Sequence, residues 1–196
     1  MFRWFAWVSL VGCLAISVYN RRRARREGET IPRRREGARL MAGRGLVALP
    51  LFAAILAYLV NPRWMAWASY AGPTWSRWAG VILGIVTVPA AYWVFRSLGR
   101  HVSETVLTKE HHELVTHGPY RWIRHPLYAN GIALLLAIGL MAANWLILAL
   151  TLIALVAIGL VVVPAEESAL LAKFGAEYRA YMGRTGGLWP RAWTPS

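Results

Sequence analysis

Residues 127–164 read LYANGIALLLAIGLMAANWLILALTLIALVAIGLVVVP, thirty-eight positions in a row without a charged side chain. An α-helix rises 1.5 Å per residue, so a single helix of that length would reach roughly 57 Å. The hydrocarbon core of a bilayer is about 30 Å thick and takes roughly 20 residues to cross. The run is therefore predicted to be two spans in a tight hairpin. Ala142-Ala143-Asn144 is the expected turn, because asparagine favours turns and both flanks are strongly apolar.

Three more apolar segments lie upstream, at 2–19, 45–60 and 78–95, broken only by Arg3, small polar residues, Pro50 and Pro89. The expectation is an all-α integral membrane protein with about five transmembrane helices, the last two a hairpin, in a single membrane domain over 1–196. Residues 1–95 would hold three helices and an arginine-rich loop at 20–44. Residues 97–196 would form the catalytic half, with a cofactor-binding segment, the hairpin at 126–164 and a C-terminal amphipathic surface helix. That last helix would carry Leu170, Leu171, Phe174, Tyr178 and Tyr181 on one face. The first segment is followed by Asn20 and Arg21-Arg22-Arg23 rather than by a small-residue cleavage site, so it reads as a retained span and not a signal peptide.

Composition agrees. Hydrophobic residues make up 57% of the chain and charged residues 16%, where soluble domains carry about 25% charged residues. Intrinsic disorder is excluded by the hydrophobicity, and a disulfide scaffold by the single cysteine, Cys13. The formal net charge of +13 admits a nucleic-acid binder, and the arginine run at 20–44 alone has that look. The map of charge favours a membrane instead. With five spans, nineteen of the 22 basic residues fall on one side, leaving only Arg3, Arg63 and Arg77 on the other. By the positive-inside bias the N-terminus is expected outside, and the C-terminus and any active site cytoplasmic, in the inner or plasma membrane of a prokaryote. No nucleic-acid partner is then needed. The loop itself could also attract anionic lipid headgroups. Most of the 11 tryptophans fall near proposed helix ends, where indoles favour the interface.

The stretch at 97–128 carries the chemistry. It holds all five histidines, His101, His111, His112, His117 and His125, together with Arg100, Arg121, Arg124, Tyr120 and Tyr128. The histidines match no strong metal-ligand spacing and have no cysteine partner, so no metal is expected. Proline disfavours the helical region for the residue before it and suits the first helical position. Pro126 should therefore open the fourth span, with His125 extended at its cap. Such a helix start attracts anionic groups. Gly118-Pro119 should turn Tyr120 and Arg121 back toward it. A second polar cluster, Glu166-Glu167, follows the last span. Exit by one helix and return by the next would set 120–128 beside 164–167.

The string LVTHGPYRWIRHPLYANG at 114–131, followed after the hairpin by EESALLAKFGAEYRAY at 166–181, resembles the isoprenylcysteine carboxyl methyltransferase family. Phospholipid N-methyltransferases are similar over the same region. The resemblance covers about residues 98–191. It implies a membrane methyltransferase that uses S-adenosylmethionine without a Rossmann domain, acting on a lipophilic methyl acceptor at the cytoplasmic face. Carried over, it implies cofactor contacts from His112, Glu113, Leu114, Val115, Tyr120, His125, Pro126, Leu127, Tyr128 and Glu166. Of these, the helix start would meet the cofactor's carboxylate, Glu166 its ammonium, and Tyr120 or Tyr128 its sulfonium. His125, Glu167 and Arg124 are the candidate catalytic groups; an amine or alcohol acceptor needs a general base, and His125 or Glu167 is nearest. In eukaryotic carboxyl methyltransferases of this type, an arginine four residues before the glutamate is associated with the substrate carboxylate. Val162 stands there in this chain, which leaves an amine, a thiol or another lipid-borne nucleophile equally open. Other readings are a phospholipid N-methyltransferase, an NADPH-dependent sterol-reductase-like enzyme, and a non-catalytic lipid-binding membrane protein. Oligomeric state is not legible, because lipid-facing and partner-facing helix surfaces look alike.

Overall fold

The computed structural model describes residues 1–27, 38–99 and 114–191. The described residues are helical, without a β-strand: α1 (Phe2–Glu27), α2 (Ala38–Val60), α3 (Thr74–Leu98), α4 (Pro126–Ala142), α5 (Trp145–Ala157) and α6 (Val163–Arg184). A five-residue π turn at Ile158–Val162 joins α5 to α6, so the two form one continuous rod.

The helices run up and down. Phe2 meets Trp78 edge-on at 5.5 Å, and Ala24 packs with Phe95, so α1 and α3 run the same way. The Trp7 indole donates to the Leu59 carbonyl, so α2 runs against α1. The Arg77 guanidinium donates to the Met141 carbonyl at 2.9 Å, which sets α4 against α3. Backbones of α3 and α4 nearly touch at Gly80. A Cβ there would lie 2.8 Å from the Ala137 carbonyl oxygen and 2.9 Å from the Met141 nitrogen, too close for any larger residue. Small residues at such crossings let membrane helices approach where lipid supplies no hydrophobic drive between them.

The core is apolar and central: Ile55, Leu59, Ala137, Ile138, Met141 and Ile147 are almost fully buried. The outer surface is apolar as well. Leu46, Leu49, Ile82 and Leu160 are each at least 65% exposed. A bundle oily on both faces is built for lipid. Among the described residues, three helical stretches are long and apolar enough to cross a membrane: 2–24, 74–98 and the stretch from 145 to 184. The apolar stretches at 45–60 and 126–142 are shorter, and α4 with its 17 residues is about 26 Å long. The five expected apolar helices are therefore present, but with unequal reach.

The hairpin turn falls where asparagine predicts it. Ala143 takes the left-handed conformation (φ 48°) and closes α4. Asn144 caps α5 by accepting from the Ile147 amide, while its own amide donates to the Met65 carbonyl at 3.1 Å. Met65 lies in the 3₁₀ turn at Pro62–Ala68, so one buried asparagine ties the 61–73 connection to the hairpin.

The C-terminal amphipathic helix is present and carries its expected face, with Leu170, Leu171 and Phe174 half-buried and Tyr178 and Tyr181 buried, but it follows the last span without a gap. Pro164 has no amide hydrogen to give to a carbonyl four residues back, and its ring would crowd that carbonyl. The preceding π turn, wider than an α turn, carries the rod past this position without a break. Tyr178 and Tyr181 are buried against the protein, and a bend falls at Gly175 (φ 54°).

Candidate active site at the arginine-rich end

The end of the bundle that holds Arg21–Arg26 also holds residues 114–128 and 158–187. Phe95 and Ala24 pack with Leu98 and Leu127 there. Pro126 opens α4, as its chemistry predicts. His125 sits at the cap with φ −122° and ψ 56°, short of the fully extended backbone expected before proline. Its ring makes no capping bond. It turns instead toward the other polar cluster.

There the two clusters meet. His125, only 4% exposed, has Nε2 3.1 Å from Glu167 Oε1 and Nδ1 3.8 Å from Glu166 Oε2. The Arg124 Nε donates to the same Glu167 oxygen at 2.7 Å. Arg124 Nη1 donates further to the carbonyls of Thr185 and Met182. The His125 hydrogen bond, then Arg124, hold the Glu167 carboxyl below the ordinary carboxylate range, against the opposing effect of burial. Glu167 lies beyond the apolar part of the rod, which ends with Val163. Trp145–Val163 alone, nineteen residues, reaches about 28 Å, close to the hydrocarbon thickness.

Aromatic rings flank the carboxylates. The Tyr128 ring stacks on His125 with centroids 5.8 Å apart. Tyr120 is buried in a short 3₁₀ turn, Gly118–Arg121, and its carbonyl accepts from the Tyr181 hydroxyl at 2.6 Å. Burial, and then the charge of Glu166, push the Tyr120 phenol well above its ordinary value. The Tyr178 hydroxyl is buried without a hydrogen-bond partner. Arg121 points away and lies over the Trp122 ring at 3.9 Å. Leu114 and Val115 are half-buried in the approach to the turn. His112 and Glu113 lie outside the described residues, as do His101 and His111.

Sequence reasoning missed the segment that closes the site from behind. Residues 122–125 pair with 186–187 like two parallel strands. The Arg124 amide donates to the Gly186 carbonyl at 2.8 Å, the His125 amide to Gly187, and the Gly186 amide to Trp122. Gly186 is obligatory: a Cβ would overlap the Trp189 carbonyl and lie 2.7 Å from the Arg191 nitrogen. The only sequence signal was Gly186-Gly187 just past a helix end, which reads as an ordinary stop.

A cavity of about 430 Å³ opens beside Tyr128. Val47, Leu51, Leu135, Ala154 and Val162 line it, so α2, α4 and α5 all contribute. Its wall is almost wholly hydrocarbon. Val162, at the position where the resemblance led one to look for arginine, belongs to that wall.

These features define an integral membrane helical bundle with a partly buried His–Arg–Glu cluster at one end and an apolar cavity alongside. The chain belongs to the phospholipid methyltransferase family, whose pattern matches residues 75–177. It is 39% identical over 67 residues to the uncharacterized protein YpbQ of Bacillus subtilis (strain 168), a match covering 34% of this chain and 40% of that protein. Its fold is similar to that of the eukaryotic intramembrane Ras methyltransferase, isoprenylcysteine carboxyl methyltransferase, with a TM-score of 0.55 at 22% identity. That likeness covers 76% of this chain and 52% of the other, so the chain spans about half the length of the solved structure it matches. At that identity the likeness is one of fold.

Proposed function

We propose that the protein transfers a methyl group from S-adenosylmethionine to a lipophilic acceptor at the arginine-rich face of the membrane. The observation that carries this reading is the convergence of Glu166, Glu167, His125 and Tyr128 at the mouth of an apolar cavity. The donor set fits the cofactor. Glu166 offers a carboxylate to an ammonium, and the faces of Tyr120 and Tyr128 suit a sulfonium by cation–π attraction. Leu114, Val115, Pro126 and Leu127, with His112 and Glu113, complete the expected cofactor contacts. The cofactor supplies an already activated methyl group, so the protein's work is alignment and exclusion of water.

The acceptor's hydrocarbon enters the cavity between α2, α4 and α5, and its polar end is held beside Tyr128. Val162 puts no cation in that wall, which favours an acceptor that is uncharged where it reacts over a carboxylate. An amine or thiol sheds a proton on methylation. His125 is the group placed to take it, with Glu167 holding its Nε2 side. Arg124 fixes the glutamate and acts through it. The face is assigned to the cytoplasm by the positive-inside bias.

Two measurements test this. Titration calorimetry of purified protein should detect binding of S-adenosylmethionine or its demethylated product; no heat at any concentration overturns the reading. Incubation with native membranes and methyl-labelled cofactor should then label a lipid-extractable product.

A further inference from the structure

We propose that the cleft between the last turns of α1 and α3 binds the phosphate group of an anionic phospholipid. The cleft has a volume of about 420 Å³ and is lined by Asn20, Arg23, Tyr92 and Arg96, with no acidic side chain among its described lining residues. The Arg96 Nη1 donates to the Tyr92 hydroxyl at 3.1 Å, which steadies the guanidinium along the cleft edge. Its floor is the Phe95 ring, which is 2% exposed and packs with Ala24. Arg23 and Arg96 stand exposed at the rim of this floor, where arginine's planar fork matches the oxygens of a phosphate.

A lipid is favoured over a free ion by what surrounds the cleft. Tyr19, which also lines it, and Tyr92 are both largely exposed, as tyrosines at headgroup depth are. Deeper along the same helix, Leu14 and Val18 present exposed apolar surface on which acyl chains can lie. Basic pockets between membrane helices on the arginine-rich side are the sites where anionic headgroups lodge. The cleft shares no described lining residue with the cavity beside Tyr128, so the lipid bound here is not the methyl acceptor.

Native mass spectrometry of the full chain in uncharged detergent tests the proposal. Dioleoylphosphatidylglycerol and dioleoylphosphatidylcholine are titrated in parallel with inorganic phosphate. Wild-type protein should retain phosphatidylglycerol adducts and lose them in favour of none when the lipid is phosphatidylcholine. Arg96→Gln should weaken retention about fivefold, and Arg23→Gln with Arg96→Gln about 25-fold, at roughly a fivefold loss per charge. Arg22→Gln, an exposed arginine outside the cleft, should retain the lipid like wild type. Tyr92→Phe, which keeps the ring, should weaken retention less than Arg96→Gln. Equal loss in Arg22→Gln and Arg96→Gln assigns the effect to diffuse charge and overturns the proposal. So does undiminished retention in the double variant. Displacement of the lipid by millimolar phosphate supports an oxyanion site; phosphate binding without lipid adducts overturns the lipid as its source.

Discussion

The two ends of the bundle are held together by different chemistry. At the end formed by residues 61–78 and 142–145, the described joints end on uncharged groups, the Arg77 guanidinium meeting the Met141 carbonyl among them. Asn144 satisfies the start of α5 and reaches across to Met65, and the Tyr70 amide bonds the Ala143 carbonyl. At the opposite end the joints are ionic. Arg124 and His125 share one oxygen of Glu167, and the 122–125 segment leans on 186–187. A neutral joint is satisfied once and stays so. An ionic joint in a dry place is costly unless every charge is matched, and a protein that only needed stability could use apolar packing there. That contrast marks which end is built for chemistry.

The strongest way to break the contrast is Arg124→Ala. It leaves the partly buried Glu167 carboxylate with His125 as its described partner and frees the carbonyls of Met182 and Thr185, at an expected cost of about 2–3 kcal/mol. Thermal unfolding in detergent should show it, together with loss of methyl transfer. Glu166→Gln should spare the fold yet weaken cofactor binding about 10- to 100-fold, the scale of one charged hydrogen bond. Calorimetry separates the two variants, because unfolding temperature should barely move in the second.

Asn144→Ala sharpens the comparison from the other side. It removes a helix cap and leaves the Met65 carbonyl short of a donor, for about 1–3 kcal/mol. Turnover per folded molecule should stay unchanged. The smallest expected effect is on pH. Glu167 has a depressed folded-state pKa, so its contribution to stability is present above the ordinary carboxyl value of 4.5 and is lost as pH falls below it. Unfolding midpoints should drop on acidification through that range in wild type, and less in Glu167→Gln.

Much of this contrast was legible before any coordinates. Apolar runs located the helices, and Asn144 and Pro126 marked a turn and a helix start by their own backbone chemistry. Up-and-down threading brought His125 to the glutamates. What stayed hidden depends on partners rather than on residues. Nothing in the sequence says that Arg124 reaches Thr185, since a guanidinium can serve any nearby acceptor. The pairing of 122–125 with 186–187 is made by backbone groups, which every residue carries alike. The continuity of the last rod was concealed by Pro164, which ordinarily announces an interruption, and the widened turn before it has no sequence signature of its own.

That widened turn sets an angle as well as a path. Each residue advances a helix by about 100°. A π turn winds each residue through a smaller angle than an α turn, so forcing Ile158–Val162 into regular α geometry with all five residues kept would leave the apolar stretch long enough to span a bilayer, yet swing everything beyond it by roughly a quarter turn. Glu166 and Glu167 would then face another quadrant from His125. The rod behaves as a key whose teeth lie past a fixed offset, so the working part of the molecule depends on phase as much as on composition.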